Sequence, residues 1–254
     1  MPAREVQGEK MKVILKVELL TALLLVCLLG ANADTITLSS GAGASGSHAD
    51  GGLEYLGYSA LSLPLSAPTT PFSKSTSNTA YAIAAGSWST AIAGTSWVSN
   101  APAAGTGCSG SQCDANGFYY YQTVFSAVGG HYDGSVSVMA DDTAEVILDE
   151  GTPEQSILVQ FGIVGSDGHC ADGMPNCTAV DTVFFPNLSL LAGTNTLTII
   201  DAQTGLHGAG VDFEANFNAT PEPSSLLLLG TGLLGLAFAI FRKRKASRAF
   251  LGIV

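Results

Sequence analysis

From Asp34 to Thr220 apolar and polar residues alternate with a period of two, and no window carries an apolar stripe at 3.6-residue spacing. That pattern predicts half-buried strands and an all-β fold. The clearest case is Val211-Asp212-Phe213-Glu214-Ala215-Asn216-Phe217-Asn218, apolar on one face and polar on the other. Further strands are expected at Thr35 to Leu38, Tyr81 to Ala84, Thr95 to Val98, Phe118 to Ser126, Ser135 to Ala140, Ala144 to Asp149, Ile157 to Val164, Thr182 to Phe185 and Thr194 to Ile200. Gly, Asn and Asp punctuate the gaps between them. No alternating helices are available to cover a parallel sheet, so these strands fit a jelly-roll-like two-sheet β-sandwich. Residues 34–80 are its irregular part, rich in Ser, Gly and Pro, with a second strand near Leu53 to Tyr58.

Both ends of the chain break this pattern. Lys12 and Lys16, the apolar stretch Leu19 to Leu29 and the small-x-small run Ala31-Asn32-Ala33 read as a signal peptide over residues 1–33. Met1 and Met11 both serve as starts for it, and Cys27 follows Val26 inside the discarded apolar stretch. At the other end, Leu226 to Phe241 is a 16-residue apolar run followed by Arg242-Lys243-Arg244-Lys245. A bilayer crossing takes about 20 residues, so this transmembrane helix would borrow Ser224, Ser225 and its basic end to span. The basic cluster holds that end in the cytoplasm, which puts residues 34–220 outside it as an ectodomain and 246–254 inside as a short tail.

The order Pro221-Glu222-Pro223, two serines, Leu227-Leu228-Leu229-Gly230, an apolar helix and a terminal Arg/Lys cluster resembles the PEP-CTERM sorting signal, the tail of exosortase substrates. The resemblance covers residues 221–245. It implies an inner-membrane intermediate, an exosortase partner, and delivery to the cell surface or the extracellular matrix. A permanently anchored envelope protein is the alternative reading of the same tail.

Removing both ends changes the charge balance. The whole chain has a formal net charge of −11, but residues 34–220 hold one cation, Lys74, against 17 Asp and Glu. Clustered cations are what phosphate backbones require, so nucleic acid is excluded as a partner. Four cysteines remain, Cys108, Cys113, Cys170 and Cys177, an even number in an exported domain, so two disulfides are expected. Of three connectivities, the local pairs cost the least loop closure. Zinc ribbons use two-residue spacings, which these pairs lack.

A second resemblance lies in the later half. Ser135 to Leu148 with its Ala140-Asp141-Asp142-Thr143-Ala144 centre, Ala192-Gly193-Thr194-Asn195-Thr196-Leu197, and Gly210 to Ala215 are similar to the galactose-binding-like β-sandwich. Leu148-Asp149-Glu150-Gly151 stands where that pattern has Leu-Asn-Gly. The fold itself says little of a ligand.

Candidate chemistry is sparse. His48, His131, His169 and His207 sit in Gly-, Ser- or Asp-rich surroundings with no nucleophile or metalloprotease motif beside them. Adjacent carboxylates on a strand point to opposite faces, which argues against Asp141-Asp142 as a catalytic pair. Oxygen-only ligands suit Ca²⁺, and Asp141, Asp142, Asp212 and Glu214 are the candidate set, the last two sharing the polar face of the final strand. Trp88, Trp97 and Tyr120 are candidates for stacking on sugars. The function expected is that of a non-enzymatic exported protein of the surface or exopolysaccharide matrix, binding carbohydrate. A secreted polysaccharide hydrolase is the alternative. Its acidic surface would favour neutral sugars, and an acidic polymer would need a divalent bridge through the four acids.

Overall fold

The computed structural model describes residues 34–41, 43–48, 52–70, 73–102, 113–149, 152–153, 155–163, 170 and 173–220, and in the tail 229–230, 232–233, 235–237 and 239–240. The expected signal peptide, the two candidate starts, Cys27, Cys108, Glu150, His169, Pro221-Glu222-Pro223 and the basic cluster lie outside these residues. The chain divides into one unit of Asp34–Thr220 and another of Met1–Ala33 with Pro221–Val254. In the second unit the described positions from Leu229 to Ile240 are helical. Among the described residues no helix is long and apolar enough to cross a membrane.

The first unit is built of strands: β1 Thr35–Ser39, β2 Leu53–Ala60, β3 Ser73–Lys74, β4 Tyr81–Ala82, β5 Val98–Ser99, β6 Gly117–Asp141, β7 Thr143–Leu148, β8 Ser156–Val159, β9 Asp181–Gln203 and β10 Gly210–Ala219. Two of these are far longer than the sequence pattern suggests. The runs expected at Phe118 to Ser126 and Ser135 to Ala140 are one strand of 25 residues, and those at Thr182 to Phe185 and Thr194 to Ile200 are one of 23. The expectation of two separate sheets is corrected accordingly: the ten described strands form one hydrogen-bonded sheet, in the order β4-β5-β10-β6-β9-β7-β8, with β1 on β10 and β2 on β6.

The sheet nevertheless has two layers, because β6 and β9 bend together. The first part of β6 pairs with β2 on one side and with the end of β9 on the other; its last part lies between β10 and the start of β9. Nine residues of straight strand span about 30 Å. Yet Phe125 stacks on Phe217 at 6.0 Å between ring centroids, although Phe217 pairs with Gly134. The bend that brings them together falls at Gly129 and Gly130, whose φ values of 82° and 113° lie in the region open to glycine. There the inward-facing set changes parity, from Tyr119, Tyr121 and Phe125 before it to Tyr132, Val136 and Val138 after it, so both halves present apolar side chains to a shared core. A β-bulge follows between Tyr132 and Gly134, opposite Pro186 and Asn187. Pro186 has no N–H for the ladder, and the Asn187 amide donates instead to Asp133 Oδ1 at 3.0 Å.

Two smaller clusters cover parts of the outer faces. Phe118, Tyr120, Ile147, Ile200 and Ala202 lie under Leu61, Leu65, Ala67 and Phe161 on one layer. On the other, Met139 lies beneath Ile83, Trp88, Trp97 and Cys177. The irregular segments are therefore the lids that keep these outer faces dry, and each large side chain so buried contributes about 1.5–3 kcal/mol.

Candidate functional site

The acids singled out by the sequence collect where β6 ends and β10 begins, beneath the loop that carries Trp88 and Trp97. Asp141 and Asp142 are buried, 0% and 1% exposed. The Trp88 Nε1–H donates to Asp141 Oδ2 at 2.9 Å, and the Cys170 amide also donates to this carboxyl. Asp142 Oδ2 accepts from the Thr204 amide at 2.7 Å and from the Thr204 hydroxyl, while its Oδ1 is buried with no donor in the hydrogen-bonded framework. A proton on Asp141 is the group placed to serve it. Burial above all, then the hydrogen bond and charge of Asp142, push the Asp141 carboxyl up to about 9.

Asp201, which the sequence reading overlooked, is wholly buried on the inner face two residues beyond Ile199. Neither of its oxygens has a hydrogen bond of good geometry. Burial first, and then the charges of Asp141, Asp142 and Asp114, hold it well above the usual carboxylate range. The alternation Leu197, Ile199, Asp201 was the signal that would have placed it inside.

Asp212 is corrected from a solvent face to the interior. It has the outward parity expected of it, but residues 83–97 cover that end of the face, and it is 0% exposed. Ser40 Oγ donates to it at 2.9 Å, the Ile92 amide at 2.7 Å, and the Thr95 hydroxyl donates as well. Glu214, two residues on, is half-buried. The four proposed calcium ligands therefore do not converge: among the described residues, the one group with three ligand atoms within 4.8 Å of one another is Asp141 with Cys170 and Cys177. Those sulfurs are joined in a disulfide and offer no thiolate. Nor can Asp141, Asp142 and Asp212 serve as a divalent bridge to an external polymer, because they are buried.

The stacking candidates are also interior. Trp88 and Trp97 pack together at 4.5 Å between centroids and are 5% and 1% exposed. Trp97 Nε1–H donates to Ser89 O at 2.9 Å. Tyr120 is 0% exposed, its hydroxyl donating to Pro68 O at 2.8 Å. The exposed aromatic ring is instead Phe184, 75% exposed and the one aromatic among the exposed large apolar side chains of the described residues. Thr182-Val183-Phe184-Phe185 is apolar on both faces, so the alternation gave no means of choosing Phe184.

The Cys170–Cys177 pair is a disulfide, with Ser89 N donating to Cys177 O across it. Cys113 is disulfide-bonded too. At the turn after β7, Asp149 Oδ1 accepts from the Thr196 amide at 2.8 Å, and the Asp149 amide donates to Thr196 O at 2.7 Å. His48, His131 and His207 are exposed. Closing the 170–177 loop removes about 2 kcal/mol of unfolded-chain entropy. Cys170→Ser with Cys177→Ser should accordingly lower the chemical-denaturation stability by about that amount, and an unchanged midpoint would contradict it.

No curated protein matches the chain. Solved structures that overlap it include the GH26-CBM35 β-(1,4)-mannanase of Podospora anserina, at 17% identity and a TM-score of 0.26, over 47% of this chain and 25% of that one. A family 35 carbohydrate-binding module from an environmental isolate overlaps at 13% identity and a TM-score of 0.29, over 66% and 98%. CBM35 from Cellvibrio japonicus Abf62 overlaps at 9% and 0.28, over 53% and 82%. The chain thus spans only a quarter of the mannanase, and overlaps of this quality carry no conclusion about ligand. The tail gives a definite match: residues 219–245 carry the PEP-CTERM protein-sorting motif.

Proposed function

We propose that this chain is an exosortase substrate, exported, held in the inner membrane by its tail, and released to the cell surface or exopolysaccharide matrix, where its sandwich-like unit binds carbohydrate without turning it over. The observation that carries the reading is the sorting motif over residues 219–245. A non-catalytic role is supported by the burial of Asp141 and Asp142 beneath Trp88, out of reach of a substrate. Carbohydrate binding is supported by the exposed Phe184 ring on an otherwise polar part of the sheet. The acidic balance of 17 carboxylates to one lysine favours a neutral polymer over an acidic one. In a host stripped of its exosortase, the full-length chain should accumulate in the membrane fraction and disappear from the surface. Surface delivery at the wild-type level in that host would contradict the reading.

A further inference from the structure

The lids cover only one end of the outer face of the layer made by β1, β10, the last part of β6 and the first part of β9. Among the described residues nothing covers the remainder, and strand pairing sets Thr37, Asn216, Ser135 and Phe184 in one row across all four strands. Three inter-strand steps make that row about 14 Å long. Thr37 Oγ1 donates to Asn216 Oδ1 at 2.9 Å, and one step along, Thr35 Oγ1 donates to Asn218 Oδ1 at 3.1 Å. Both amides are thereby fixed with their oxygens occupied, and neither Nδ2 has an acceptor among the described residues, so both are left to donate outward.

We infer that this face is the carbohydrate-binding site and that its ligand is a neutral polysaccharide, the Phe184 ring stacking on the C–H face of one pyranose while hydroxyls of a neighbouring sugar of the same polymer accept from Asn216 and Asn218. This rests on the carbohydrate-binding reading above and gives it a location. The chemistry of the face selects the occupant. A flat exposed ring beside neutral amides and hydroxyls matches the alternating apolar and hydroxyl edges of a sugar. The row itself has no charge, and the acids near it, Glu214 and Asp133, have no neighbouring cation in a unit whose single lysine is on β3. An acidic polymer would meet only repulsion there. A protein partner would need a larger apolar centre than one phenylalanine.

The test is affinity electrophoresis of the full chain, purified in detergent, through gels containing neutral galactomannan, neutral dextran or acidic alginate. Wild type should be retarded by a neutral polymer and not by alginate. Phe184→Ala and Asn216→Ala should each weaken that retardation about tenfold, the size of one stacked or directional contact. Val128→Ala, which removes a 72% exposed side chain from the other layer, should migrate like wild type. All three variants should melt with wild type. Undiminished binding by both face variants overturns the location and leaves the carbohydrate reading standing. A wild type that ignores both neutral polymers overturns the two together, and stronger retention on alginate overturns the neutral assignment.

Discussion

The 34–220 unit should lose stability steadily as pH rises from about 4 to about 9, the reverse of a protein held by salt bridges. The sign follows from Asp141 and Asp201. In the unfolded chain both carboxyls ionise near the ordinary value of 3.8; in the folded protein burial raises both, Asp141 to about 9. Between those limits the native state binds protons that the unfolded state has released, so raising the pH favours unfolding. The stabilisation is whole below the unfolded value and is lost as pH climbs through the folded one. Asp141 alone contributes a slope on the order of 1 kcal/mol per pH unit. For a domain of this size that is a fall of a few °C in Tm per unit. Asp212 and Asp114, also raised by burial, act in the same direction. Asp141→Asn keeps an acceptor for Trp88 and supplies Asp142 with a permanent donor. It should flatten the slope and raise Tm at pH 8. Melting curves across this range that rise with pH, or an Asp141→Asn variant with an unaltered slope, would contradict the account.

The second large effect is expected at Trp97. It belongs to the lid over the start of β10 and is buried there against Trp88 and Met139. Trp97→Ala should cost about 3–5 kcal/mol, the range for a large aromatic removed from a packed interior. That corresponds to a fall in Tm of about 10 °C or more. Glycan retention, measured well below the new Tm, should persist, since the ring reaches no open surface. Loss of retention at unchanged Tm would mean that Trp97 serves a ligand and not the lid.

Much of the strand pattern was legible because alternation is local: Val211, Phe213, Ala215 and Phe217 share the inner face as their spacing requires. What covers the other face is not local. Asp212 and Glu214 are equivalent by periodicity, yet one is sealed by residues more than a hundred positions earlier and the other is half-open. For the same reason Trp88 and Trp97 could not be sorted into surface or lid from their own neighbourhood. The continuity of β6 was hidden by Gly129-Gly130, which reads as a chain break but serves as the bend of one strand. Phe184 was hidden by Phe185 beside it, one ring facing solvent and the other the core. The sorting tail was legible because it is a linear signal whose meaning depends on order along the chain.

That tail bears the central claim, and the most direct measurement is the mass of the C-terminal peptide of the surface-delivered protein, taken from a host that has an exosortase. The chain should end near Pro221-Glu222-Pro223, with no peptide covering the apolar run or the basic cluster. Intact Arg242-Lys243-Arg244-Lys245 on the surface-delivered form would contradict it.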